Sequence, residues 1–200
     1  MDNDKYVISL GSSCDSATEL KRAGVNNIHY FFDFSWNELD GLKTVKDIVE
    51  NDFDKFFDIH NYTKIPEHPI LGNNKKMWNV NKFYPNFVFM HHNTSKPKII
   101  ESLVRKIERT KDVFESKNKK IFIYYRHYHW DFNPCSDFNI IKDESKKFCE
   151  MYKNKYDDNF MLLSLVVYDK DYDKEIIDKE VLELQNDNTD NVKYDFVYRR

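Results

Sequence analysis

The sequence contains few of the residues that mark disordered, fibrous or disulfide-stabilised chains. Four glycines and five prolines among 200 residues argue against a collagen-like, linker-rich or disordered protein. The three cysteines, Cys14, Cys135 and Cys149, are an odd number without paired spacing. Residues 1–5 are polar and lack the basic stretch that opens a signal peptide. We therefore expect reduced thiols and a cytoplasmic protein, in the host cytoplasm if the chain is viral.

Several kinds of partner are also disfavoured. No apolar run of about 18 residues occurs, so we expect no transmembrane helix and no membrane partner. A net charge of −3 gives no overall attraction to nucleic acid. We expect the lysines within residues 117–120 to face water at a helix end. Neither a CxxC nor an HExxH pair is present, so we expect no metal site, and we expect no cofactor.

The hydrophobic share of 40% and the aromatic share of 16% are sufficient for a substantial core. We expect one domain over residues 1–200, with residues 169–200 as a C-terminal extension or edge strands. Buried strands are predicted at residues 5–10, 87–90, 121–125 and 160–168, and residues 27–34 are strand-like. Helices are predicted from Ser12 or Ser13 to Ala23, and over residues 38–57, 97–116 and 136–156.

This alternation predicts an α/β fold: a single three-layer domain with a mostly parallel central sheet flanked by helices. Residues 61–81, which include two prolines and a glycine, are predicted to be a long loop. In a parallel sheet, functional sites collect at the carboxyl ends of the strands. Three groups of residues are predicted to lie there: Gly11 to Cys14, His91 with His92, and residues 126–130.

Cys14 is the strongest candidate for chemistry. A cysteine in the first turn of a helix lies at the positive end of the helix dipole, which favours the thiolate. Two other interpretations remain open. Cys14 could be a buried small hydrophobe, as most free cysteines are. Alternatively, the turn at Ser12 and Ser13 could bind a phosphate through helix N-terminal amides.

A thiol nucleophile needs a base, and His91 and His92 end a predicted strand. Successive side chains in a strand point in opposite directions, so at most one of them would easily face Cys14. Asp33 lies among aromatic residues and needs a partner if it is buried. It could orient a histidine or accept hydrogen bonds from backbone amides. Mid-helix Cys149 is expected to lie in the core.

A further polar group, Arg126, His127 and His129, follows another predicted strand. These side chains could recognise an anionic substrate, or they could form a solvated rim. We take Arg126 and His127 as candidate substrate-binding residues.

Residues 7–15, together with Ala17 and residues 20–24, resemble the opening of the putative papain-like cysteine peptidase family, which occurs in bacteria and large DNA viruses. That family opens with a strand, then Leu-Gly-Ser, a variable residue, Cys and a helix. Phe31-Phe32-Asp33-Phe34 stands in place of its Pro-Phe-Asp-Trp segment. Phe89-Met90-His91 resembles its aromatic–x–His strand end. The resemblance covers about residues 5–168.

The resemblance implies that Cys14 is a nucleophile, His91 its base and Asp33 the third member of the site. It favours a thiol hydrolase or acyl transferase that acts on a protein, peptide or other acyl substrate. Two other hypotheses remain. One is a non-catalytic α/β module that binds an anionic ligand at the Gly-Ser-Ser turn, with Arg126 assisting. The other is a viral or bacterial host-interaction protein.

Overall fold

A computed structural model describes the greater part of the chain. The described residues are 5–11, 14–25, 28–33, 35–37, 41–68, 72–89, 92–128, 138–169, 182 and 185–199. The strands are β1 (Lys5–Ser9), β2 (Ser35–Trp36), β3 (Tyr62–His68), β4 (Gly72–Asn81), β5 (Tyr84–Phe89), β6 (Lys119–Tyr128), β7 (Phe160–Asp169) and β8 (Val192–Arg199). The helices are α1 (Cys14–Arg22), α2 (Gly41–Glu50), α3 (Pro97–Glu115) and α4 (Phe138–Lys155), with 3-10 turns at Asp54–Phe56 and Ile59–Asn61.

The central sheet is parallel, as the alternating pattern predicted. Its strand order is β1-β6-β7-β8, and every neighbouring pair runs in the same direction. Val7 lies opposite Ile121, which in turn lies opposite Met161. Buried apolar residues in the strands, such as Ile8, Phe122 and Leu162, belong to one large core. The predicted α/β class is therefore confirmed.

A second, antiparallel sheet was not predicted. Its order is β2-β5-β4-β3, and β3 and β4 occupy most of residues 61–81, which were predicted to be a loop. Pro66 lies at a register shift between Ile65 and Glu67 on the outer strand. A proline is tolerated there because an edge strand and a bulge leave one backbone position unpaired.

The predicted strand at residues 27–34 is wrong in its local structure. Residues 31–33 form turns, and among the described residues between 28 and 37 the only strand is the two-residue β2. Phe31 and Phe32 are nevertheless buried, and Phe31 packs against Phe53, Phe56 and other aromatic rings. Large apolar side chains can enter a core from a turn as well as from a strand. The density of aromatic residues therefore did not predict the backbone conformation of this segment.

The predicted helix at residues 38–57 is shorter in the structure. It ends at Glu50, and Asp52 and Phe53 then adopt left-handed backbone with φ of 51° and 62°. The shortened helix α2 packs against α4. Within the described part of the chain, no helix has the length and apolar character that a membrane span requires.

Candidate active site at the strand–glycine–cysteine turn

The turn between β1 and α1 is tied to both elements. The Leu10 N–H donates to the Ile123 carbonyl over 2.9 Å, which extends the pairing of β1 with β6 by one residue. The hydroxyl of Ser9 accepts the Gly11 N–H at 3.1 Å and lies 2.6 Å from the hydroxyl of Ser16 in α1. Because Ser9 and Ser16 lie on either side of the turn, their hydrogen bond fixes the position at which α1 begins.

Cys14 is the first residue of α1. Its backbone therefore occupies the helix terminus at which unpaired N–H groups and the helix dipole favour an anion. Ser12 and Ser13, the predicted substrate-binding residues, lie outside the described residues, and the Cys14 side chain is not described either. Their roles stay predictions.

Gly11 brings this turn against the segment that contains Asp33. Its φ of +84° lies in the left-handed region. A Cβ at Gly11 would lie 2.8 Å from Ser35 Oγ and 3.2 Å from the Phe32 carbonyl oxygen. That carbonyl belongs to the peptide joining Phe32 to Asp33, so the turn and Asp33 are neighbours.

Asn37 also reaches Gly11, and sequence reasoning missed it. The Asn37 side chain is fully buried, and its Oδ1 lies 3.8 Å from the position of a Gly11 Cβ. Its Nδ2 donates to the Gly41 carbonyl at 3.3 Å. No donor reaches Asn37 Oδ1 among the residues described. The only signal available in the sequence was a polar residue shortly before a helix.

Asp33 is buried, with 4% of its surface exposed. One carboxylate oxygen, Oδ2, accepts the Tyr30 N–H at 3.0 Å and lies 3.4 Å from Nδ1 of His29. Burial raises the pKa of Asp33, while the Tyr30 amide and His29 act in the opposite direction. Asp33 thus has both kinds of partner considered from the sequence, a backbone amide and a histidine, and the histidine is His29.

Helix α3 lines the other side of Asp33. Lys106 of α3 lies close enough to influence the Asp33 charge, and its own pKa is lowered, chiefly by burial. Lys106 Nζ is 3.2 Å from Nε2 of His92. Of the two adjacent histidines, His92 therefore contacts α3. His91 lies outside the described residues. The strand before them, β5, belongs to the antiparallel sheet rather than to the parallel one.

Arg126 is not on a solvated rim. Its side chain is 1% exposed, and its Nη1 lies 3.4 Å from Oε2 of Glu144 in α4. The same Glu144 oxygen accepts the Leu42 N–H at 3.1 Å. The guanidinium is therefore buried against a carboxylate, and the predicted direct contact of Arg126 with a substrate stays a prediction. The His127 side chain, the other predicted substrate contact, and the whole of His129 lie outside the described residues.

Gly41 explains how these elements come so close together. Its φ is +52°, and a Cβ there would lie 2.5 Å from Glu144 Oε2 and 2.9 Å from Tyr124 Oη. Gly41 also begins α2, and its N–H donates to the Asn37 carbonyl. Arg126 is therefore connected through Glu144, Gly41 and Asn37 to the turn before Cys14.

Cys149 is buried in the core, as predicted, and burial raises the pKa of its thiol to about 12. A cavity of about 460 Å³ between α4 and residues 186–194 includes Cys149 in its lining but none of the candidate site residues. Cys135 lies outside the described residues. In the part of the chain that is described, no group of three His, Cys, Asp or Glu side chains could hold a metal ion.

Comparison with known proteins gives one match. A family model described as putative papain-like cysteine peptidase matches residues 5–143, which include β1, the turn, α1, Asp33 and β6. No curated protein and no solved structure matches the chain significantly.

Proposed function

The chain belongs to the putative papain-like cysteine peptidase family, and on that premise we propose that it is a thiol hydrolase whose nucleophile is Cys14. The observation that carries the proposal is the position of Cys14 as the first residue of α1, three residues after the left-handed Gly11 that follows β1. A cysteine at a helix N-terminus has its thiolate stabilised by the helix dipole. The buried Cys149 thiol, with its raised pKa, has the opposite environment.

The proposed reaction proceeds in two steps. A histidine takes the Cys14 proton, and the thiolate attacks the acyl carbon of a peptide, ester or related bond. The leaving group departs with the proton from the histidine, and an acyl-thioester remains on Cys14. Water then gives a proton to the histidine and its oxygen to the acyl carbon, and the released thiolate recovers the proton. Backbone amides at the start of α1 would stabilise the oxyanion.

The histidine named by the family resemblance is His91, with Asp33 as the third member. Support for Asp33 comes from its burial beside the turn and from its contact with the imidazole of His29, which shows that it can hold a histidine. A carboxylate that holds one ring nitrogen fixes the tautomer, so that the other nitrogen can accept a proton. The same proposal locates this protein in the cytoplasm and gives it a protein or peptide substrate.

Alkylation by iodoacetamide tests the proposal, with each cysteine followed by peptide mass spectrometry. Near pH 6.5 we expect Cys14 to react about tenfold faster than Cys135, because only an activated thiol is substantially ionised there. Cys149→Ser serves as the control variant, since its thiol is buried and should contribute almost no labelling. Equal rates at Cys14 and Cys135 would contradict the proposal. Protection of Cys14 by inorganic phosphate, without any acyl adduct from peptide or ester substrates, would favour an anion-binding module instead.

A further inference from the structure

The cavity of about 460 Å³ between α4 and residues 186–194 is lined by none of the residues assigned to the proposed reaction. We propose that it binds a small organic anion, namely a carboxylate carried on an apolar aromatic or short-chain body. The cavity lies at the amino ends of β7 and β8, whereas Cys14 follows the carboxyl end of β1. Its lining residues, apart from Lys142, lie beyond residues 5–143, which the family model matches. The inference therefore does not depend on the proposed function.

The buried part of the lining is apolar. Phe160, Val192 and Tyr194 line the cavity, are buried, and belong to the large core. Because core packing fixes these side chains, a ligand can bury apolar surface against them without reorganising them. The cavity volume falls within the range of about 300–1,000 Å³ that is typical of small-molecule sites. An apolar body is thus the first requirement on the ligand.

The wall opposite α4 is held in place at several points. The side-chain oxygen of Asn188 accepts the Tyr194 N–H at 2.7 Å. Asn191 Nδ2 donates to the first carbonyl of β7 at 2.9 Å. Lys142 of α4 forms an ion pair with Asp187, which joins the wall to the helix. The cavity is therefore preorganised, and preorganisation reduces the free energy that a ligand must spend on ordering its site.

Lysines from one face of α4 surround the mouth of the cavity. Lys142, Lys146 and Lys153 line it, and they follow one another at spacings of four and seven residues. Such spacings place side chains on the same side of a helix, because they correspond to about one and two turns. The lysines of α4 are therefore directed to the cavity as a row rather than scattered around the helix.

The charge of the lining favours an anion. Its carboxylates are Glu150 and Asp187, so the three lysines leave a single positive charge in excess. Asp187 is already paired, and Lys153 lies 3.7 Å from Asp158, which is not part of the lining. Lys146 makes no ion pair with any residue that the structure describes. Lys146 is therefore the cation that can receive a ligand.

The two halves of the lining together define the class of ligand. One excess positive charge matches a monoanion such as a carboxylate better than a phosphate monoester, which carries about −1.5 to −2 charges at pH 7. The side chains of Asn186 and Thr189 also line the cavity, and an amide and a hydroxyl can both donate hydrogen bonds to carboxylate oxygens. An inorganic anion would leave the apolar surface unused, and a neutral apolar molecule would leave Lys146 unpaired.

Isothermal titration calorimetry of the full chain with naphthoate tests the proposal, because naphthoate joins one carboxylate to an apolar ring system. We expect a dissociation constant below about 1 mM. Naphthalenemethanol, which has the rings without the charge, should bind about fivefold more weakly. Acetate, which has the charge without the rings, should bind at least about tenfold more weakly.

Lys146→Gln is the decisive variant, and Lys147→Gln is its matched control. Lys147 is the next residue of α4, but it pairs with Asp143 at 2.6 Å and does not line the cavity. Both variants remove one charge from an exposed position of the same helix. We expect Lys146→Gln to weaken naphthoate binding about three- to fivefold and Lys147→Gln to leave it within about 1.5-fold. Circular dichroism confirms that both variants fold.

NMR chemical shifts of the backbone amides locate the bound naphthoate, and we expect them to change within residues 149–153 and 188–194. Three results would overturn the inference. The first is the absence of binding up to about 10 mM naphthoate. The second is equal weakening in Lys146→Gln and Lys147→Gln. The third is a set of shifts confined to the surroundings of Phe57 and Phe83, two exposed aromatic residues. None of these results bears on Cys14, whose alkylation is measured separately.

Discussion

The two ends of the parallel sheet are built differently. At the amino end, Lys120 of β6 is fully buried, and it donates to the Ser116 carbonyl and to Asp157 Oδ2 at 2.9 Å. Asn191 closes the same end by donating to the carbonyls of Asp158 and Phe160. The lysines within residues 117–120 were expected to face water, and for Lys120 that expectation is wrong.

At the carboxyl end, close approach depends on glycine. Gly11 and Gly41 both have positive φ, and side chains at either position would collide with their neighbours. Asp33 and Asn37 each have a buried oxygen without a donor among the described residues. An unsatisfied buried oxygen costs about 1–3 kcal/mol, so this end is less well stabilised than the other. The amino end is thus built mainly for stability, whereas the carboxyl end is where the proposed chemistry would take place.

The largest expected effect separates the two cysteines. Cys14→Ser should lower any turnover by at least about a thousandfold, because the nucleophile of a covalent mechanism is lost. Cys149→Ser, near the amino end, should leave turnover within about twofold. Rates with fluorogenic peptide and ester substrates measure both. Turnover retained in Cys14→Ser would contradict the proposal that the carboxyl end of the sheet holds the nucleophile.

The next prediction compares the buried cations of β6. Lys120→Met and Arg126→Met should each lower the free energy of unfolding by about 3–5 kcal/mol, because each leaves a carboxylate partly buried without its partner. Only Arg126→Met should also slow the alkylation of Cys14, since Glu144, Gly41 and Asn37 connect it to the turn. Urea unfolding and alkylation rates are measured on the same samples. If both variants slowed the alkylation of Cys14 equally, the amino end of the parallel sheet would influence the Cys14 turn as strongly as the carboxyl end does, contrary to the prediction.

A smaller effect is expected from two glycine substitutions. Gly41→Ala should cost about 3 kcal/mol, because unfavourable φ and overpacking add together. Gly24, at the end of α1, has a similar φ of +67°, but no atom of the described residues lies within 4 Å of an added Cβ. Gly24→Ala should therefore cost only about 1–2 kcal/mol, the conformational part alone. Equal losses in thermal or urea unfolding would mean that contact at Gly41 contributes nothing.

The smallest effect concerns pH. The pKa of Asp33 is raised in the folded chain, so Asp33 binds its proton more tightly there than in the unfolded chain. Its contribution to stability is full below the unfolded value of 3.8 and declines as pH rises through the folded pKa. The pKa of Asp52 is lowered by Lys155, and its contribution has the opposite sign. Urea unfolding between about pH 3 and 7 should show Asp33→Asn losing a downward slope with pH and Asp52→Asn losing an upward one. If the curves of unfolding free energy against pH for both variants ran parallel to that of the unsubstituted protein, neither pKa shift would contribute to stability.

The sequence predicted the elements whose signals are local. A continuous apolar strand, a glycine and a polar helix start identified the turn at Cys14, and apolar spacing identified α3. The hairpin of β3 and β4 could not be predicted in this way. Its lysines, asparagines and Pro66 resemble a loop, and the strands exist because they pair with each other and with β5.

The candidate site could be predicted only in part, for a similar reason. Asp33 was identifiable as a carboxylate among aromatic residues, but its contact with His29 depends on the turn at residues 31–33. Arg126 was expected near solvent because its partner, Glu144, comes from a different element and meets it only through packing. Sequence alone identifies residue types that can do chemistry, whereas tertiary contacts decide which of them are paired.

The Pro66 register shift has a consequence for the behaviour of the protein in concentrated solution. The antiparallel sheet is bounded on one side by β3, with its proline and exposed Lys64 and Glu67, and on the other by the two-residue β2. Prolines, bulges, charges and very short strands are the devices by which proteins prevent their sheets from pairing with further copies. Both margins of this sheet are thus poor templates for an incoming strand, so a chain rich in aromatic residues gains protection against ordered aggregation there.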